Sequence, residues 1–103
     1  MFERIMGLNV IDDDAYAKYR EGMTPILHSY NADFGYDFIV SKVLKSKATN
    51  NINRVFTIDF PSESVMNSFF EDVDYIAIKK KYLDHAVDSK TVISMHEKHS
   101  DDV

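Results

Sequence analysis

Arg54 and Asp37 are the residues whose types most plainly offer chemistry. Arginine presents a rigid fork of donors that grips carboxylates, and an aspartate nearby can orient a polar ligand or take a proton. Both stand at the starts of segments that are expected to be central strands. The structural alternative is a plain salt bridge that fixes a loop. Asp59, one residue before Phe60-Pro61, is a third candidate, since a carboxylate near an interface can acquire a raised pKa and act as a base. Its alternative is to accept hydrogen bonds from a neighbouring loop.

Tyrosines Tyr16, Tyr19, Tyr30, Tyr75 and Tyr82 recur on faces that should turn inward. Tyrosine suits a site with an apolar body and a polar tip. Tyr30, Tyr75 and Tyr82, with His28 on the first helix, are the expected lining of a ligand pocket between helices and sheet. Ordinary core packing with hydroxyls at the rim is the competing reading. His28, His85, His96 and His99 do not combine with carboxylates at metal-ligand spacing, so no metal is expected. Neither a phosphate-cradling glycine loop nor a Ser-His-Asp order is present, and no cofactor is expected.

The elements that must position these residues follow from periodicity. Residues 3–10 read as a strand with apolar side chains on both parities, and Asp12, Asp13 and Asp14 supply a helix cap and acidic first turn. A helix follows over 13–30, where Pro25 should kink or split it. Asn31 to Gly35 is a turn, Tyr36 to Leu44 a second strand, and Lys45 to Asn53 a polar hairpin loop. Arg54 to Phe60 alternates strongly, with Phe56, Ile58 and Phe60 on one face. Pro61 ends that strand, Ser62 caps a helix, and Phe69, Phe70 and Tyr75 should pack on the Phe56 face. The helix breaks and restarts near Asp72-Val73-Asp74. Thr91 to His96 is the last strand, with a frayed charged end from about Glu97.

Strand–helix–strand occurs twice. The fold class expected is α+β: a ferredoxin-like βαββαβ sandwich, a four-stranded antiparallel sheet with two helices on one face. The chain of 103 residues is expected to be a single domain with its core over about 3–96. The other sheet face should carry Asp37, Ile39, Ser41, Val43, Val55, Thr57, Asp59, Val92, Ser94 and His96. No further layer of the chain is expected to cover it. A homodimer through this face, forming a dimeric α/β barrel, is the economical solution.

Bulk properties narrow the partners. A net charge of −5 disfavours nucleic acid and anionic membranes. No apolar run approaches the ~18 residues of a membrane span, and no signal-peptide core is present. The absence of cysteine removes disulfides, thiol catalysis and thiolate metal sites. A cytoplasmic location is the simplest expectation.

Asn53-Arg54-Val55-Phe56-Thr57-Ile58-Asp59-Phe60-Pro61-Ser62, followed by Phe69-Phe70, Asp74-Tyr75 and Lys79, resembles the family known as domain of unknown function 1330. Tyr16, Tyr19, Pro25 and Tyr30 match its Tyr-rich helix with an internal proline, and Tyr36-Asp37-Phe38 resembles one of its subgroups. The resemblance spans roughly 5–96 and implies the dimeric α/β-barrel superfamily. That superfamily includes cofactor-free monooxygenases, lactone isomerases, haem-dependent dismutases and proteins without known activity, so it implies little mechanism. Many family members carry Arg-Gly where this chain has Ser41-Lys42, and Ser-Pro-Glu-Tyr where it has Asp72-Val73-Asp74-Tyr75. Two functions are therefore expected: a cofactor-free enzyme acting on a small organic acid or aromatic, or a non-catalytic small-molecule-binding or dimeric structural module.

Overall fold

The structure is a computed structural model that describes residues 1–99. Its elements are β1 (Phe2–Val10), α1 (Asp13–Ser29), β2 (Asp33–Ile39), β3 (Arg54–Phe60), α2 (Glu63–Glu71) and α3 (Val73–Ile78), then a π-helical turn (Lys79–Leu83), α4 (Asp84–Ala86) and β4 (Val87–Glu97). The strands form one antiparallel sheet in the order β2-β3-β1-β4. This is an α+β fold, and each half of the chain threads its helical stretch between two strands separated by one strand of the other half.

The caps are those the sequence predicts. Asp12 accepts from the Ala15 amide at 3.0 Å and opens α1. Ser62 accepts from the Val65 amide at 3.2 Å, so Phe60-Pro61-Ser62 is a strand-to-helix corner. The break after α2 is also present: Asp72 ends one helix and caps the next through the Tyr75 amide at 3.0 Å. Tyr16, Tyr19, Met23 and Leu27 are the buried stripe of α1. They meet Met6, Leu8, Phe56, Ile58 and Phe60 of the sheet, and Phe69 closes the core with its ring 6.0 Å from that of Phe60.

Four expectations need correction. Pro25 does not split α1, which is one continuous helix. The proline is exposed near the helix end, where the carbonyl that loses its partner can be hydrated, and Thr24 Oγ1 donates to the Arg20 carbonyl one turn back. β2 starts at Asp33 and ends at Ile39, earlier than Tyr36 to Leu44, because Asp33 and Phe34 pair with Asp59 and Ile58. β4 is longer than Thr91 to His96 and pairs along all of β1. It reaches past Glu97 to a bond from the Lys98 amide to the Met1 carbonyl at 2.7 Å, while the rest of the expected frayed end lies outside the described residues.

The fourth correction decides which side chains face the helices. Three register shifts each insert one residue and so invert the facing of the strand beyond them, and two of them bear on the candidate residues. Gly35 and Tyr36 together face Thr57, so Asp37 comes opposite Phe56 and lies on the helix side. Phe38 comes opposite Val55, and Asp37 and Ile39 thus leave the open face. The Tyr36 amide donates to Thr57 Oγ1 at 2.8 Å. In β4 the extra residue is Ile93, which turns Val92 and Lys90 toward the helices while Ser94 and His96 stay on the open face. The open face is also less bare than expected. Ile52 is buried against Gly7, where an added Cβ would lie 3.0 Å from Ile52 Cδ1.

Candidate functional site

A cavity of about 300 Å³ lies between the helices and the sheet. Met6 and Leu8 of β1, Phe56 and Ile58 of β3 and Val92 of β4 form its floor. Met23 of α1, Phe70 of α2 and Leu83 of the π-helical turn form its walls. Five polar side chains enter this apolar space: Arg4, Tyr19, Tyr75, Lys79 and Lys90. Few polar groups in an apolar concavity of this size is the usual make-up of a small-molecule site.

Local structure explains each placement. Arg4 shares the inward parity of Phe2, Met6 and Leu8 on β1. Its guanidinium lies over the Phe70 ring, 4.7 Å from the centroid, and Nη1 meets only the Met95 sulfur at 3.1 Å. Arg4 Nε is buried and has no hydrogen-bond acceptor among the described residues. Burial lowers the Arg4 pKa, and the nearby tyrosines partly oppose that shift. An unpaired buried guanidinium nitrogen is costly, and most structures avoid it.

Tyr19 and Tyr75 come from α1 and α3, and their hydroxyls are 2.9 Å apart. Burial pushes the Tyr19 pKa well up, with Tyr75 adding to the shift. Burial also raises Tyr75, and the bond to Tyr19 partly offsets it. Both are therefore neutral hydroxyls at neutral pH. Lys79 opens the π-helical turn, a local widening often found at functional positions, and donates to Asp84 Oδ1 at 3.1 Å. Lys90 Nζ is 4.0 Å from the same oxygen. Desolvation lowers the Lys90 pKa, and the positive charges of Lys79 and Arg4 add to that.

Of the residues picked from the sequence, Tyr75 lies in this cavity. Tyr30 turns away and bonds Asp72 Oδ2 at 2.7 Å, with its ring edge-on to Phe69. Tyr82 packs against the core outside the cavity lining, with Lys81 Nζ 5.2 Å from its ring. His28 is exposed and pairs with Asp33 at 3.0 Å. Arg54 and Asp37 do share a shallow surface depression beside α1. They do not pair with each other there: Arg54 binds Asp13 at 2.7 Å, and Asp37 binds Arg20 at 2.9 Å. Asp59 lies on the opposite face, 3.5 Å from Lys98 Nζ. That face also holds Glu3 and His96, 2.9 Å apart, with Ser94 Oγ 2.6 Å from His96 Nδ1.

Sequence reasoning passed over Arg4, Lys79 and Lys90. A signal existed for Arg4, a cation on an otherwise apolar strand parity. Lys90 had none, because the Ile93 bulge sets its direction. Among the described residues no three His, Cys, Asp or Glu side chains gather as a metal would require.

The family is decided by a match over residues 4–95 to the model described as "Domain of unknown function (DUF1330)". The chain belongs to this family. No curated protein matches it. Solved structures agree on the fold. A protein of unknown function from Rhodopseudomonas palustris is 15% identical with a TM-score of 0.81, covering 96% of this chain and 83% of its own. A protein from Arabidopsis thaliana is 10% identical with a TM-score of 0.65, each chain covered in full at 100%. An uncharacterised NIPSNAP domain protein from Burkholderia xenovorans is 11% identical with a TM-score of 0.67, covering 98% and 97%. At these identities the likeness concerns the fold alone. No helix among the described residues is long and apolar enough to cross a membrane.

Proposed function

We propose that this family member binds a small organic acid with an apolar or aromatic body in the Arg4 cavity and acts on it without a cofactor. The observation that carries this reading is the buried Arg4 Nε, which lacks an acceptor among the described residues at the edge of an apolar cavity. A ligand carboxylate satisfies it, and the guanidinium fork favours a planar, two-oxygen partner. The walls then receive the apolar remainder. Burial raises the pKa of both Tyr19 and Tyr75, so both keep their protons, and with Tyr19 as donor the pair leaves the Tyr75 hydroxyl hydrogen unused. The Tyr75 proton is then available to a ligand oxygen, which suits a general acid.

Binding without catalysis is the second reading, and one observation favours it. Among the described residues, neither a carboxylate nor an imidazole lines the cavity, so an ordinary general base is missing.

Calorimetric titration tests the binding step. Phenylacetate binds the wild-type protein, phenylacetamide binds at least about tenfold more weakly, and Arg4→Met abolishes the difference. Equal binding of acid and amide contradicts the reading. Deuterium exchange into C3 of phenylpyruvate then separates the two functions. Exchange that Tyr75→Phe removes while binding persists supports the enzyme. Binding without exchange supports the module.

The assembly we propose is a homodimer through the open sheet face, closing a dimeric α/β barrel. Tyr36 and Phe38 stack there with centroids 5.9 Å apart, yet they are 61% and 54% exposed. Ile93 adds a third exposed apolar side chain on β4. Such a patch gains by being covered, and a second copy covers it by symmetry. Native mass spectrometry should find two chains, and Phe38→Glu should give one. A wild-type monomer contradicts the dimer and leaves the cavity reading intact.

A further inference from the structure

Lys79 and Lys90 are the two amines of the cavity that the binding reading leaves without a task, and Lys90 is the one farther from Asp84. It reaches the lining because the Ile93 bulge turns β4, and it shares the cavity with Lys79 and Arg4. Three cations around one apolar space exceed what a single carboxylate needs. Their mutual repulsion is relieved when one of them is neutral. Asp84 does not answer all three: its Oδ1 takes Lys79 at 3.1 Å and stands 4.0 Å from Lys90. Lys79 is thus the closer partner of Asp84, and Lys90 is the more loosely held amine.

Resting on the organic-acid reading, we infer that the cavity takes 2-oxo acids and that Lys90 captures their carbonyl carbon as an imine. The placement supplies both requirements of that chemistry. A lysine partly desolvated at an apolar pocket beside another cation is an activated amine nucleophile, and Lys90 stands at the cavity rim, its side chain 38% exposed, beside Lys79 and Arg4. Desolvation, Lys79 and Arg4 lower the Lys90 pKa, and the Asp84 carboxylate partly opposes them. Arg4 meanwhile anchors the carboxylate.

The step balances without an outside reagent. The Lys90 Nζ lone pair attacks C2 of the oxo acid, and the carbonyl oxygen takes a proton from Tyr75 to give a carbinolamine. The nitrogen loses its excess proton, the hydroxyl leaves as water with a second proton, and a protonated imine remains. Tyr75 regains its proton from solvent. The protonated imine withdraws electrons from C3, which deepens the proposed action on the acid.

Phenylpyruvate with sodium cyanoborohydride is the test, since hydride turns the imine into a stable secondary amine. Peptide mapping by mass spectrometry should find one adduct per chain, on Lys90. Phenylacetate should suppress it by competing at Arg4. Lys90→Met should lose the adduct while still binding phenylacetate calorimetrically, which also shows that the variant folds. Adducts scattered over Lys18, Lys80, Lys81 and the other exposed lysines overturn the proposal, as does a lone adduct on Lys79. Phenylacetate binding without a Lys90 adduct overturns the imine and leaves the binding reading standing. Failure of both ligands to bind overturns both.

Discussion

The hydroxyl oxygens of Tyr19 and Tyr75 lie 2.9 Å apart across the junction of α1 and α3, with both rings buried. This contact ties the two halves of the chain together at the wall of the cavity. Each hydroxyl satisfies the other, which is why burial of both is tolerated. Tyr19→Phe or Tyr75→Phe leaves one hydroxyl without its partner and should cost about 1–2 kcal/mol in urea denaturation. The double variant removes both polar groups and should cost less than the sum of the singles. Strict additivity would mean that the two hydroxyls are not coupled.

Arg4→Met should separate stability from function. The guanidinium is held in the cavity with one nitrogen unsatisfied, whereas methionine fills similar space without a polar demand. The thermal midpoint of the ligand-free variant should equal or exceed that of the wild type, while stabilisation by phenylacetate disappears. A variant that unfolds at lower temperature and still responds to phenylacetate contradicts this.

Gly35 is where the β2 bulge presses on β3. A Cβ there would sit 2.6 Å from Thr57 Oγ1 and 3.2 Å from Asp59 Oδ2. Gly35→Ala should destabilise by about 1–3 kcal/mol, as overpacking does. In a Thr57→Ala background its cost should fall, because the nearest clashing atom is gone. An unchanged cost in that background would place the strain elsewhere.

Asp72 should make stability depend on pH. The Tyr30 hydroxyl, the Tyr75 amide and the Asp74 amide hold its carboxylate pKa below the ordinary value. A depressed folded-state pKa stabilises fully above the unfolded-state value of about 4, and that stabilisation is lost as pH falls through the folded-state value. Asp72→Asn should be less stable than wild type at pH 7, and the gap should narrow toward pH 3. A gap that is constant over this range would contradict the linkage.

The legible part of the structure was written in caps and periodicity. Asp12, Ser62 and Asp72 sit before apolar stripes, and each starts a helix where its side chain meets a backbone amide three residues on. Phe56, Ile58 and Phe60 alternate without interruption, so their inward face could be read directly. What failed was parity across the bulges. A single extra residue at Gly35-Tyr36 moved Asp37 to the helix side, where Arg20 takes it, and another at Ile93 brought Val92 and Lys90 to the cavity. A bulge depends on the register of the partner strand, which one strand's own pattern does not contain.

A pocket lined by tyrosines between helices and sheet was expected, and a cavity lies there with tyrosines and an arginine in its lining. Tyr75 belongs to it, but its guanidinium comes from Arg4 on β1, and Arg54 is engaged by Asp13 outside it. The one signal for Arg4 is that it is a cation on the strand parity of Phe2, Met6 and Leu8.

The most direct test of the central claim uses the methionines as reporters. Met6 and Met23 line the cavity, and the Met95 sulfur accepts from Arg4, while Met66 is a buried residue of α2 outside the cavity lining and Met1 is 59% exposed. With 13C-labelled methionine methyl groups, phenylacetate should shift the Met6, Met23 and Met95 resonances and leave Met1 and Met66 in place. Shifts confined to Met1 or Met66, or none at saturating acid, would contradict the Arg4 cavity as the site.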